Sequence, residues 1–157
     1  MSNIKSVLFV CTGNSCRSIM AEGLLKKRLK ELGKTGITVR SAGVRALDGY
    51  SPTDETIEVM MAEGVDVSSF KSTAITDEMI KTSDLILVMS TAHKYEIVRL
   101  APEAVSKVFL LREYGRAAGE KVPTDPNIPD PIGLSVAEYK TYLDVIKEDV
   151  ERTAKIL

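Results

Sequence analysis

The chain has 157 residues, with 21 Lys and Arg against 22 Asp and Glu, a single histidine, and a net charge of -1 at pH 7. A single domain over residues 1–157 buries about two thirds of its unfolded surface without disulfides or metals. Balanced charge supplies no field that would recruit nucleic acid or an anionic membrane, so any anion site must be local. From Met1 the chain runs quickly into Val7-Leu8-Phe9-Val10, an apolar run too short for a signal-peptide core or a membrane span. Two cysteines make no disulfide scaffold. The expectation is a cytoplasmic, monomeric protein with both thiols reduced.

In chain order, Val7 to Val10 reads as a first strand, and a helix follows from near Arg17 with Met20, Leu24, Leu25, Leu29 and Leu32 on one face, stopping at Gly33. Ile37 to Val39 is a second short strand. A second helix is predicted to start at Ser51-Pro52, serine as cap and proline at the first helical position, and to end near Gly64. Leu85 to Val88 and Val108 to Leu111 are further aliphatic runs of the kind that parallel strands buried on both faces show. The last helix begins at the capping box Ser135-Val136-Ala137-Glu138 and carries Val136, Tyr139, Leu143, Ile146, Val150 and Leu157 at helical spacing, a face read as core. Alternating strands and helices predict an α/β fold, a three-layer α/β/α arrangement with a four-stranded parallel sheet. Only Ala117 to Gly133, with four prolines, lacks periodicity. A loop that long in a compact domain is usually functional, and it would emerge at the carboxyl edge of the sheet, where ligands of open α/β sheets bind.

Between Val10 and the first helix lies Cys11-Thr12-Gly13-Asn14-Ser15-Cys16-Arg17-Ser18. A loop of this kind wraps backbone N–H groups around an anion, and the helix N-terminus adds positive potential. The same field favours the thiolate of Cys11, the nucleophilic form. Arg17 can fork onto two phosphate oxygens as lysine cannot. The bare spacing Cys-x5-Arg is weak evidence; the strand before it, the helix after it, Gly13 inside and Ser18 behind the arginine give it meaning.

Val10 through Ser18, followed by Met20-Ala21-Glu22, resembles the low-molecular-weight protein tyrosine phosphatase family. Ser41-Ala42-Gly43, Asp84-Leu85-Ile86-Leu87-Val88-Met89 and Ile128-Pro129-Asp130-Pro131 fall in the family's order, so the resemblance spans nearly the whole chain. It implies that family's fold and a metal-free, cofactor-free phosphatase acting on phosphorylated protein or peptide. Carried across, Cys11 is the nucleophile that forms a phosphocysteine, Arg17 the phosphate clamp, and Ser18 the hydroxyl supporting the sulfur. Thr12, Gly13, Asn14, Ser15 and Cys16 complete the phosphate loop, with Asn14 bracing it and Ser41 in support. Asp130 is the general acid and then the base; Asp125-Pro126, the other Asp-Pro pair, reads as a turn.

Several positions depart from the family's pattern. Ile19 stands where proline is usual, and a histidine near Ser69 and an arginine near Ser72 are absent. Ser15 replaces the aliphatic residue usual in tyrosine phosphatases; the bacterial arginine phosphatases have threonine there, and a hydroxyl suits a polar leaving group better than an aromatic ring. Met89-Ser90-x-x-His93-Lys94 and Val108 through Tyr114 also resemble the arginine phosphatase branch. His93 itself reads as a surface or helix-end residue. Two alternatives remain. An arsenate reductase-like thiol enzyme would need more cysteines than Cys11 and Cys16. A redox-regulated phosphate-binding module would use those two as a reversible pair, with Cys16 protecting Cys11 or merely filling the core. Too few ligands exist for zinc.

Overall fold

The structure, a computed structural model, describes residues 3–121 and 123–157. Four strands form one parallel sheet: β1 (Ser6–Cys11), β2 (Thr38–Gly43), β3 (Leu85–Val88) and β4 (Val108–Leu110), in the order β2-β1-β3-β4. Between and after them come α1 (Arg17–Glu31), α2 (Asp54–Ala62), α3 (Asp77–Thr82), α4 (Thr91–Leu100), a 3-10 turn at Pro102–Lys107, and α5 (Val136–Ile156).

Strand alternation sorts the core into two layers. Val7, Phe9 and Cys11 face the layer built by Leu25 of α1, Met60 of α2 and Leu143 of α5. Leu8 and Val10 face Ile80 of α3 and Ile97 of α4. The connection leaving β1 therefore runs on one face and the connection leaving β3 on the other. Strand order reverses between β1 and β3, and a crevice opens at that point beyond the strands' carboxyl ends. Cys11 is the last residue of β1 and sits at its mouth.

Two boundaries differ from expectation for identifiable reasons. β2 continues past Val39 through Ser41, Ala42 and Gly43, which lack a strand signature of their own but pair with Phe9, Val10 and Cys11; tertiary pairing overrides local preference. The cap of α2 is Thr53, not Ser51: its hydroxyl accepts from Thr56 N (3.3 Å), and Asp54 and Glu55 then occupy the first turn, where acids suit the helix dipole. The capping box at Ser135 and Glu138 is formed as expected. Tyr139, Leu143, Ile146 and Val150 are buried, so the apolar face of α5 is core, while Val136 lies out at the helix start.

Asp149, 1% exposed, anchors the segment leaving β4. Its carboxylate meets Arg152 (2.9 Å), Arg112 and Arg116 (both 3.5 Å). Those arginines donate onward to the carbonyls of Leu111, Tyr114, Lys121 and Asp125. Burial pushes the Asp149 carboxyl above its ordinary range, with the arginines opposing. One buried acid thereby ties α5 to the chain that leads toward Asp130.

Candidate active site

The segment from Cys11 to Ser18 turns tightly between β1 and α1. Its carbonyls are claimed from outside: Cys11 O by Val44 N (3.0 Å), Thr12 O by Arg45 N (2.9 Å), and Ser15 O by Thr53 N (3.3 Å) and Thr56 Oγ1 (3.1 Å). Carbonyls drawn outward in this way leave a loop's N–H groups free to face an anion. α1 opens without a side-chain cap and with no acid in its first turn, so its terminal N–H groups and dipole are left for an anion. Gly43 allows β2 to approach this closely, since a Cβ there would stand 2.5 Å from Thr12 O and 2.9 Å from Asn14 N.

Asn14 shapes the loop. It is fully buried at φ +52°, the left-handed region that asparagine tolerates better than other residues with a side chain. Thr73 N donates to its Oδ1 (2.9 Å), which fixes the amide's orientation. Its Nδ2 donates to Ser18 Oγ (2.7 Å) and Ser41 Oγ (3.0 Å). Ser18 Oγ lies 3.0 Å from Cys11 Sγ. Since that hydroxyl already accepts from Asn14, its own hydrogen is free for the sulfur. Ser41 passes its hydrogen to Glu22 Oε1 (2.7 Å), and Glu22 Oε2 is held by Lys26 Nζ (2.7 Å). A continuous polar chain runs from Cys11 to the surface of α1.

Arg17, 5% exposed, is the first residue of α1. Its Nη1 donates to Ile128 O (2.8 Å), and its Nη2 lies 3.4 Å from Thr12 Oγ1 and 3.7 Å from Asp130 Oδ2. Nε is buried with no partner. An always-charged guanidinium thus keeps one buried, unsatisfied N–H at the end of the Cys11 loop. The Asp130 side chain is 41% exposed, and its Oδ1 accepts from Ile132 N (3.1 Å). Asp125 caps a turn by accepting from Asn127 N (2.9 Å), so of the two Asp-Pro acids only Asp130 is paired with Arg17.

Residues 6–157 match the family model for low molecular weight phosphotyrosine protein phosphatase. The chain belongs to that family. It is 36% identical over 148 residues to the probable low molecular weight protein-tyrosine-phosphatase EpsP of Ralstonia nicotianae, covering 94% of this chain and 92% of that one. It is 35% identical over 151 residues to a protein-arginine-phosphatase of Geobacillus stearothermophilus, covering 96% and 95%. Among solved structures, a cysteine-to-serine mutant of the YwlE arginine phosphatase with a phosphorylated active site serine superposes with a TM-score of 0.87 at 34% identity, covering 97% of this chain and 95% of that one.

Against the family's pattern, Ser15 is half-buried at the loop, its Oγ 3.6 Å from Cys16 Sγ. Gly13 is exposed and under no φ demand. Cys16 is buried, its sulfur 3.5 Å from Tyr139 OH and 3.6 Å from Thr53 Oγ1, and both cysteines are free. Burial, with Cys16 beside it, raises the Tyr139 phenol above its usual range. Ser72, near the place where the resemblance implies an arginine, accepts from Tyr50 N (3.0 Å) and donates to Leu47 O, bracing the loop after β2.

His93 departs from its surface reading. It lies in the first turn of α4, as expected, but is 4% exposed. Its Nε2 is 2.9 Å from Thr12 Oγ1 and its Nδ1 3.1 Å from Ser90 Oγ. Burial first, and then the Arg17 guanidinium, push it down to about 4, with Asp130 pulling the other way, so it is neutral at pH 7. Its signal in the sequence was position: Ser90-x-x-His93 directly follows β3, the strand beside β1. The bond of Glu22 to Ser41 and the contacts of Thr53 with Ser15 and Cys16 carried no comparable signal, because those partners are remote in sequence.

Proposed function

We propose that the chain is a protein phosphatase that works through a phosphocysteine on Cys11. The observation that carries this reading is the placement of Cys11 Sγ, 3.0 Å from a hydroxyl with a free hydrogen, in the same loop as a buried guanidinium whose Nε has no partner. The thiolate attacks phosphorus while loop N–H groups, the N-terminus of α1 and Arg17 hold the equatorial oxygens. The bond from phosphorus to the leaving oxygen or nitrogen breaks, and Asp130 gives that atom its proton. Asp130, now a carboxylate, takes a proton from water as the water attacks the phosphocysteine. Phosphate leaves, and Ser18 steadies the departing sulfur. Asn14 and Ser41 hold the loop, Thr12, Gly13, Ser15 and Cys16 line it, and none of these steps calls for a metal.

Phosphorylated protein is the substrate class, since both loops at the carboxyl edge expose apolar side chains: Leu47 (68%), Tyr50 (62%) and Ile132 (58%). Ser15 brings a hydroxyl rather than an aliphatic wall to the loop, which favours a polar leaving group such as the guanidino nitrogen of phosphoarginine over an aromatic ring alone. The chain is read as one domain acting as a monomer in the cytoplasm, independent of nucleic acid and membrane. A charge of -1 and, among the described residues, no helix able to cross a membrane support that reading. Comparing kcat/KM for phosphotyrosyl and phosphoarginyl peptides tests the substrate: measurable phosphoarginine cleavage is expected, and its absence refutes the role given to Ser15.

A further inference from the structure

A cavity of about 490 Å³, with none of Cys11, Thr12, Arg17 or Asp130 in its lining, lies between α1 and the segment following α2. Ile19, Val65, Val67 and Phe70 supply its apolar walls. Lys26, Lys27 and Lys30 stand at its rim, all exposed on α1. Lys27 Nζ donates to Glu63 O (2.6 Å), Lys26 is engaged by Glu22, and Lys30 Nζ has no ion-pair or hydrogen-bond partner among the described residues. The two acids of the lining are already occupied: Asp66 accepts from Ser68 N (2.9 Å), and Glu22 from Ser41 and Lys26. The volume falls in the range of small-molecule sites, and an apolar wall under a cationic rim is complementary to an amphipathic anion.

We propose that this cavity binds a small amphipathic carboxylate, its ring or short chain on the apolar walls and its carboxylate among the rim amines, and that occupancy is transmitted to the Cys11 loop through Glu22. A carboxylate at the rim competes with Glu22 for Lys26. Glu22, 8% exposed, then has less compensation for its charge while it holds Ser41, which holds Asn14, which orients Ser18 against Cys11. Ile19, directly after Ser18, is itself part of the wall. The effect on turnover rests on the phosphatase reading above; binding does not.

The test uses the whole chain with inorganic phosphate at saturating concentration, 4-phenylbutyrate as probe and 4-phenylbutanol as its neutral counterpart, followed by calorimetry. Ser69→Trp fills the cavity from an exposed position, and Lys30→Glu reverses rim charge without touching the loop. Saturable phenylbutyrate binding is expected, about tenfold weaker for the alcohol and in either variant. Saturating probe should also lower kcat on 4-nitrophenyl phosphate about threefold or more in the parent but not in Ser69→Trp, without changing inhibition by phosphate. No saturable binding below about 10 mM, equal binding by Ser69→Trp, or displacement by phosphate overturns the site. Binding with unchanged kcat overturns transmission through Glu22. Binding by a parent that has no phosphatase activity refutes the proposed function and leaves the site standing.

Discussion

Replacing Asn14 with alanine removes both a backbone preference and a junction of three hydrogen bonds. At φ +52° an alanine costs about 1–2 kcal/mol. The Thr73 N–H loses its acceptor, at about 1–3 kcal/mol, and Ser18 and Ser41 each lose a donor worth about 0.5–1 kcal/mol. Partial relaxation makes the total about 3–5 kcal/mol, a large share of the 5–15 kcal/mol typical of a whole domain, and lowers Tm by about 10 °C. Asn14→Gly loses the same bonds but not the φ preference, so it should lie about 1 kcal/mol above the alanine variant. Urea unfolding followed by circular dichroism, with linear extrapolation, measures both. An alanine variant within about 1 kcal/mol of the parent, or a glycine variant no more stable than alanine, would refute the view that Asn14 holds the loop.

Three other outcomes are expected. Folded His93 takes its proton near pH 4 and an unfolded histidine near 6.5; stability is therefore full above pH 6.5 and falls by on the order of 3 kcal/mol as pH drops to 4. As the only histidine it can be titrated by NMR, and a midpoint near 6 or above, or an unchanged stability profile in His93→Gln, contradicts its burial beside Arg17. Asp130→Asn should slow the phosphorylation step, read as the pre-steady-state burst of leaving group, about 10²–10⁴-fold on esters with poor leaving groups and far less on activated ones; equal losses in that step would remove it as the acid. Asp149→Ala leaves three arginines around a missing charge and should destabilise by about 3–5 kcal/mol in urea, a value below about 1 kcal/mol showing the cluster to be dispensable.

The strand-loop-helix unit from Val7 to Leu29 was legible because its signals are local: an aliphatic run, a glycine-containing loop, and helical spacing. The capping box at Ser135 was legible for the same reason. Ser41, Ala42 and Gly43 gave no strand signal, since β1 draws them into the sheet by pairing in register. Ser51-Pro52 looked like a helix start because proline suits both the first helical position and the extended residues before a cap, and only the folded chain shows Thr53 accepting from Thr56. Asn14 and Ser41 came through the family resemblance, but Glu22 as the end of their chain did not, because three elements must fold before those groups meet. His93 sits at a helix end as its position implies, but its burial is not legible there, because it depends on Thr12, 81 residues away.

The most direct measurement is a rapid acid quench of the Asp130→Ala variant with 4-nitrophenyl phosphate, followed by peptide mass spectrometry under conditions that preserve thiophosphate. Asp130→Ala leaves attack on an activated ester possible while removing the base for hydrolysis, so the phosphoryl group should accumulate on the peptide holding Cys11 and Cys16, on Cys11 itself, whereas Cys11→Ser should lose turnover and form no phosphocysteine. A phosphoryl group on another residue, or turnover retained in Cys11→Ser, would contradict catalysis through Cys11.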